Sequence, residues 1–227
     1  MFKRILLVLM LVCFMVGTAF AGITEMCEAF KNDDYTTTIS EANKVIADEN
    51  AKISDKAKAQ HYIASCDYDQ KKYTEAITKF QTGINTYPTV RALCAIAQSY
   101  IGSCYYNLKD YPRAITEYQK IIDNYPDCRL WCVRAQMSIA ITYGRGMLDE
   151  VKKQEALCKV CIDYPQKEYI TSLESAFKRI EQRVVGNEKY AEVLNALVKL
   201  PSNENTAELL GRVGSQMAKP DLAKYFE

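Results

Sequence analysis

Residues 97–126 read AQSYIGSCYYNLKDYPRAITEYQKIIDNYP, and this stretch decides the fold because its parts return elsewhere in the chain. It begins with AQSYIGSC, which resembles AQHYIASC at 59–66, and an Ala-Gln pair recurs at 135–136. The three copies therefore begin at evenly spaced positions, with a period of about 38 positions. The Tyr-Pro pair that closes the stretch recurs in the same way, with one step longer by a single residue. Similarity at a fixed period predicts an array of stacked supersecondary units.

Each copy of the repeat predicts two helices. The apolar residues of the second half recur every three or four positions, as one stripe along a helix: Tyr111, Ala114, Ile115, Tyr118, Ile121 and Ile122. A matching stripe precedes it at 101–108, and the polar residues 107–110 join the two. So short a connector requires antiparallel neighbours. Because Pro126 disfavours a helical residue before it, each unit is predicted to be a helical hairpin that stacks on the next.

The same residues resemble the tetratricopeptide-repeat (TPR) motif. The matching positions are Gly102, Tyr105, Tyr111, Ala114, Tyr118 and Pro126. Gln98 stands where the family usually has tryptophan. The resemblance implies an all-α fold, a TPR-like right-handed α-solenoid of helical hairpins, and a scaffold that binds proteins rather than an enzyme. The long Tyr-Pro-Asp connections are similar in style to repeats of bacterial envelope proteins, such as the periplasmic partner of the Tol–Pal system and outer-membrane assembly lipoproteins.

The period divides the chain into a leader, four repeats and a C-terminal region. The repeats are predicted at 22–54, 55–92, 93–130 and 131–168. The remainder, 169–227, is predicted to hold a degenerate fifth hairpin and a capping helix. In detail, we expect one helix from Tyr169 to Val184, a second from Tyr190 to Leu200 and a closing helix from Thr206 to Met217.

The leader, residues 1–21, has the features of a secretory signal peptide. Lys3 and Arg4 precede an uncharged apolar run over 5–16, and small residues at 19 and 21 favour cleavage before Gly22. We therefore expect a periplasmic or secreted protein. The alternative is a membrane-tethered subunit of an envelope assembly that keeps the leader as its anchor. Contact with a membrane is expected only through this segment or through a partner.

Charge and composition exclude several kinds of partner and activity. The 29 basic and 28 acidic residues nearly cancel, which disfavours a nucleic-acid partner. His61 is the only histidine, and neither a nucleophile relay around it nor a glycine-rich phosphate loop can be identified. We therefore expect a protein that is not an enzyme and has no cofactor, no metal and no small-molecule substrate. It is predicted to be a monomer.

Eight cysteines follow the leader, and export makes disulfides possible. The repeat register places five of them, Cys94 included, at one end of their helices, and the other four are Cys128, Cys132, Cys158 and Cys161. We expect a disulfide from one of the first two of these four to one of the last two. Cys66 and Cys104 share a position that the family usually buries, and they are expected to be free thiols. The Cys-x-x-Cys spacing at 158–161 leaves a metal site or a thiol–disulfide activity as alternatives.

The partner is expected on the leading helices, which line the concave groove in the TPR family. The candidate residues are His61, Tyr62, Ser65, Tyr68, Tyr100, Ser103, Tyr106 and Asn107. Tyrosine is favoured at recognition surfaces because it offers a large area with little loss of entropy. The family members that grip acidic tails carry lysine, arginine and asparagine here, so an extended peptide or a helix is the expected partner instead. The competing interpretation is that the tyrosines pack on neighbouring leading helices. His61 is expected to lie on a helix surface and not to belong to a catalytic relay.

Overall fold

A computed structural model of the chain describes residues 22–223 and 225–226, and every regular element in those ranges is helical. The predicted signal peptide lies outside the described residues. The elements, in chain order, are α1 (22–31), α2 (Tyr35–Ala47), α3 (Ile53–Asp69), α4 (Tyr73–Thr86), α5 (Arg91–Asn107), α6 (Tyr111–Asn124), α7 (Arg129–Ile141), a π-turn (Thr142–Met147), α8 (Glu150–Asp163), a 3-10 turn (Lys167–Tyr169), α9 (Ile170–Phe177), α10 (Gln182–Val185), α11 (Asn187–Leu197), α12 (Ala207–Met217) and α13 (Pro220–Ala223).

The described residues form two compact units that divide between Cys104 and Tyr105, inside α5. In the first unit α2 packs on α3 and α3 packs on α4. In the second, α6 packs on α7 and α7 packs on α8. This packing of consecutive helices is that of a TPR-like solenoid, so the predicted fold class is confirmed. The repeat boundaries themselves stay a prediction.

The trailing helices begin at aspartate caps. In α2, α6 and α8 the carboxylate of Asp34, Asp110 or Asp149 accepts a hydrogen bond from the backbone N–H three residues later. The side chain of Arg113 holds the pKa of Asp110 below its ordinary value. Lys72 occupies the equivalent position before α4, and no side-chain hydrogen bond caps that helix. The connectors between paired helices are therefore built from the same local interaction in three of four cases.

Each connector also contains one residue in the left-handed region. The φ angles are 58° at Asp33, 60° at Lys71, 62° at Lys109 and 55° at Leu148. The first three are evenly spaced along the sequence, and the last comes one residue later than that spacing predicts. Left-handed backbone is strained for residues with a Cβ, and glycine would relieve the strain. The turn geometry is thus repeated although, apart from Asp33, the residue types are not those that favour it.

Replacing Leu148 with glycine should stabilise the protein by about 0.5–1 kcal/mol, because relief of the left-handed strain outweighs the extra entropy of glycine in the unfolded chain. Leu148 is 82% exposed, so little packing is lost. Urea unfolding of L148G against wild type measures the change. The control is Leu130→Gly. Leu130 is also exposed but lies in α7 with ordinary helical backbone, so the free energy of unfolding of this variant should fall by about 1 kcal/mol. Destabilisation by L148G would show that the turn is not strained.

The π-turn after α7 accommodates the extra residue of the last repeat step. Helix α5 ends two residues before its left-handed residue, Lys109, whereas the π-turn ends at Met147, directly before Leu148. A single inserted residue within a helix is commonly absorbed as one wide turn. The longer step in the sequence therefore corresponds to a local widening of this helix.

Gly146 allows the π-turn to lie against the ring of Tyr111 on α6. A Cβ at Gly146 would lie 2.6 Å from Cδ1 and 2.8 Å from Cε1 of that ring. Gly146→Ala should therefore lower the free energy of unfolding by about 2 kcal/mol through overpacking. The control is Gly211→Ala in α12, where a Cβ meets nothing within 4 Å; it should gain about 0.5–1 kcal/mol. Thermal unfolding checks both, and equal effects at the two sites would contradict the prediction.

The C-terminal region differs from the predicted helices. The helix predicted from Tyr169 to Val184 is wrong in extent, because α9 ends at Phe177 and the short α10 begins at Gln182. Both α9 and α11 pack on α8, and the ring of Phe177 stacks on that of Tyr190 at 6.2 Å. The closing helix α12 agrees closely with its predicted range.

The side chain of Gln154 supplies hydrogen bonds to the backbone at this break. Gln154 is fully buried on α8. Its Nε2 donates to the carbonyl of Arg179 at 3.0 Å, and its Oε1 accepts from the N–H of Glu181 at 2.8 Å. The amide thus supplies backbone partners that a continuous helix would otherwise provide.

Candidate protein-binding face

Eight aromatic rings of the first unit form one connected group, which we call the aromatic cluster. Its members are Phe30, Tyr35, His61, Tyr62, Tyr68, Tyr73, Phe80 and Tyr100. Seven of its pairs meet edge to face or tilted, and Phe80 stacks on Tyr100 at 5.1 Å with 27° between the rings. These are the geometries that aromatic quadrupoles favour. The cluster brings together four of the predicted partner-binding residues.

His61 is half-buried on α3 and packs against other rings of the cluster. Its ring centroid is 5.3 Å from those of Phe80 and Tyr100, and 6.3 Å from that of Tyr62. Its Nδ1 is buried and has no hydrogen-bond partner among the described residues. Burial lowers the pKa of His61 to about 4, because the charged imidazolium would lose its hydration. The imidazole is therefore neutral at physiological pH.

The three candidate tyrosines of the cluster are half-buried. Tyr62 packs edge to face on Phe30 at 5.0 Å, and its hydroxyl accepts a weak hydrogen bond from the thiol of Cys27 at 3.5 Å. Tyr68 packs edge to face on Tyr100, also at 5.0 Å. Each ring is fixed by its neighbours and still presents part of its surface to solvent. Such rings can bind a partner with little further loss of side-chain entropy.

The helices that carry the cluster are joined by a charge pair. The carboxylate of Asp67 on α3 lies 2.6 Å from the ammonium of Lys79 on α4. Asp67 is buried, whereas the lysine side chain is partly exposed. The pair reinforces the packing of these two helices, so the face that α3 presents is held on a rigid support.

The other four candidate residues are not members of the aromatic cluster. Ser65 is only 4% exposed, so we leave it out of the candidate face. Ser103 is half-buried and its hydroxyl donates to the carbonyl of Ser99 at 3.0 Å. In the second unit, Tyr106 packs edge to face on Tyr111, and Asn107 is the exposed last residue of α5. The candidate face is therefore defined by Tyr62, Tyr68 and Tyr100, with His61 behind them.

Sequence reasoning did not include Phe30 and Phe80 in this face. Phe80 is 1% exposed and contacts both His61 and Tyr100. It occupies the position of Tyr118 in the next repeat, and that equivalence could have identified it as an aromatic packing position. Phe30 lies on α1, 38 residues before Tyr68, so the same register could have identified it as well.

None of the eight described cysteines forms a disulfide in this structure. Cys128 is half-buried and Cys132 is buried, with the thiol of Cys132 donating to the carbonyl of Tyr125 at 3.3 Å. Cys158 and Cys161 are both fully buried. A disulfide between these two pairs stays a prediction. Cys66 and Cys104 are buried as expected, and burial raises their pKa to about 11 and about 12.

The pair Cys158 and Cys161 has an unsuitable environment for thiol–disulfide chemistry. Burial raises the pKa of Cys158 to about 11 and that of Cys161 further. The thiolate is the reactive species, and catalytic cysteines have a lowered pKa. For metal binding, the described part of the chain contains no group of three His, Cys, Asp or Glu side chains that could hold an ion. Within the same ranges, no helix has the length and apolar character needed to cross a membrane.

The family model described as Tetratricopeptide repeat matches residues 97–127. No curated protein matches the sequence. Proteins with this repeat are generally non-enzymatic scaffolds that mediate protein–protein interaction. The matched segment covers α6 and most of α5, and together with the helical hairpins it supports a tetratricopeptide-repeat protein.

Proposed function

We propose that this protein is an exported scaffold that binds a protein or peptide partner of the bacterial envelope on the face defined by Tyr62, Tyr68 and Tyr100. The observation that carries the proposal is the aromatic cluster, which holds three partly exposed tyrosines on the leading helices α3 and α5. The TPR resemblance implies that leading helices line the concave side. The signal-peptide features of residues 1–21 support export.

The chemistry of the face favours an extended peptide or a helix with apolar and aromatic side chains. The rings supply a large apolar area, and the tyrosine hydroxyls add hydrogen bonds at its edge. His61 is neutral and enclosed by the rings, so it adds no charge that would attract an acidic tail. The protein is proposed to act as a monomer that recognises its partner through a preformed surface.

The test is affinity capture from native envelope extract with the mature protein and two variants. In Y68A/Y100A the exposed rings are removed, and in the control, Y169A, a half-buried tyrosine of the second unit is removed instead. Circular dichroism and urea unfolding confirm that each variant folds. A partner that is retained by wild type and Y169A but lost by folded Y68A/Y100A supports the proposal. Equal capture by all three proteins would place the binding surface elsewhere.

Export is tested separately by the N-terminal sequence and cell fraction of the native protein. A chain that begins at Gly22 and is found outside the cytoplasm supports cleavage and export. A chain that begins at Met1 and fractionates with membranes supports the tethered alternative. Either result leaves the tyrosine face open to its own test, because that face lies entirely within the described residues of the first unit.

A further inference from the structure

A basic pocket in the second unit is formed by the π-turn, α8 and the segment after α9. Three cations line it: Arg145, Lys153 and Arg179. Its remaining described lining is Gly144 together with an apolar floor of Ala140, Ile141 and Leu157. Ala140 and Leu157 are buried, whereas Ile141 is partly exposed. No acidic residue is among the described lining residues, which is unusual for a chain of nearly balanced charge.

The backbone positions of the three cations come from different features of the fold. Gly144 has no Cβ, and one built there would lie 2.5 Å from Cδ of Lys153, so the lysine side chain crosses the π-turn at this glycine. The backbone carbonyl of Arg179 is fixed to α8 by the amide of Gln154. Arg145 lies in the π-turn itself. The π-turn, the glycine and the Gln154 amide therefore bring three cationic residues to one pocket.

The charge of the pocket is only partly compensated. The ammonium of Lys153 pairs with the carboxylate of Glu150 at 2.9 Å. No carboxylate among the described residues pairs with the guanidinium of Arg145 or of Arg179. Two positive charges therefore remain above an apolar floor. Guanidinium groups bind carboxylates through two parallel hydrogen bonds, which gives such a pair geometric specificity.

We propose that the basic pocket binds an acidic segment of a partner protein, with Arg145 and Arg179 pairing with its carboxylates. An aliphatic side chain of the partner covers Ile141 on the floor. Met147, the last residue of the π-turn, and Leu148 after it are exposed outside the pocket lining. A free inorganic anion would satisfy the guanidinium groups but could not use the apolar floor. The site is separate in sequence and chemistry from the tyrosine face and does not depend on it.

The experiment measures fluorescence anisotropy of a labelled peptide in which Asp and Glu alternate with Leu, added to the whole protein. A second peptide replaces the acids by Asn and Gln. The variant R145E/R179E reverses the two unpaired charges. The control is K178E, because Lys178 is exposed, adjacent to Arg179 and absent from the pocket lining. Circular dichroism checks that the variants fold, and both altered arginines are exposed.

We expect the acidic peptide to bind wild type and K178E alike, and R145E/R179E at least about tenfold more weakly. The neutral peptide should bind poorly to all three proteins. Equal weakening by K178E would indicate general electrostatic attraction and overturn the proposal. The proposal would also be overturned if the neutral peptide bound as tightly as the acidic one, or if neither peptide bound. Inorganic phosphate and sodium chloride are also compared as competitors of the acidic peptide at equal ionic strength. If phosphate displaces the peptide and sodium chloride does not, the pocket is a site for a free anion instead.

Discussion

Replacement of Gln154 by alanine should lower the free energy of unfolding by about 3 kcal/mol. The amide of Gln154 is fully buried and bonds both the carbonyl of Arg179 and the N–H of Glu181. Alanine leaves these two backbone groups without their partner and opens a cavity beside α8. The cost of an unsatisfied buried group exceeds the modest net gain of an ordinary hydrogen bond, so the loss is large. Urea unfolding measures it.

Two further variants separate the contributions to this loss. Gln154→Met fills most of the space without hydrogen bonds, so it isolates the polar term from the cavity. Gln119→Ala removes an exposed amide that bonds Asp123 one turn away on α6, and it should cost only about 0.3 kcal/mol. Hydrogen exchange at the Glu181 amide should accelerate in both Gln154 variants. If Q154A were as mild as Q119A, the segment after α9 would have to be held by other contacts.

Lowering the pH from about 6.5 to about 4 should cost the wild-type protein about 2–3 kcal/mol of stability through His61 alone. Burial lowers the pKa of His61 to about 4 in the folded state, against 6.5 in its ordinary environment. Between these values the unfolded chain binds more protons than the folded one, so stability falls as the pH falls. Below the folded pKa the loss is complete. Solvent still reaches part of the His61 side chain, which favours the lower end of the range.

This loss of stability can be assigned to one residue because His61 is the only histidine in the chain. His61→Phe keeps a ring in the aromatic cluster and removes the titrating nitrogen. The difference in unfolding free energy between wild type and H61F should therefore be constant above pH 7 and change steeply between pH 6.5 and 4. The aspartate caps, whose pKa values are lowered, lose their contribution only at more acidic pH. Parallel pH profiles for the two proteins would show that His61 titrates normally.

The repeated period predicts the helical hairpins well, because each helix has its own apolar stripe and a short polar connector. The connector at 107–110 lies between the end of α5 at Asn107 and the start of α6 at Tyr111, as expected. The same register gives Tyr62 and Tyr100 equivalent positions, and the structure brings both into one aromatic cluster. Local pattern and packing agree at these positions, which is why sequence alone was informative.

The features that the sequence did not predict depend on contacts between distant residues. A glutamine such as Gln154 in a helix is usually exposed, and only the break after Phe177 gives it buried partners. The position of His61 depends on rings contributed by α4 and α5. Lys71, Lys109 and Leu148 are not residues that favour left-handed backbone, so the turns that they occupy could not be inferred from their types. The last repeat step is one residue longer than the others, which indicates an irregularity near the π-turn. It does not predict the pocket beside that turn.

The wide turn after α7 also bears on how such arrays diversify. One additional codon lengthens a single copy of the repeat, and the extra residue is taken up inside a helix, without a protruding loop. Downstream the chain resumes its turn at Leu148 and its next helix at Glu150. A single-residue insertion has thus left the stacking surfaces of the copy intact while giving it a local backbone shape that its neighbours do not share. Mutational scanning of insertions at equivalent sites in the other copies would therefore be a route to new surfaces on an unchanged framework.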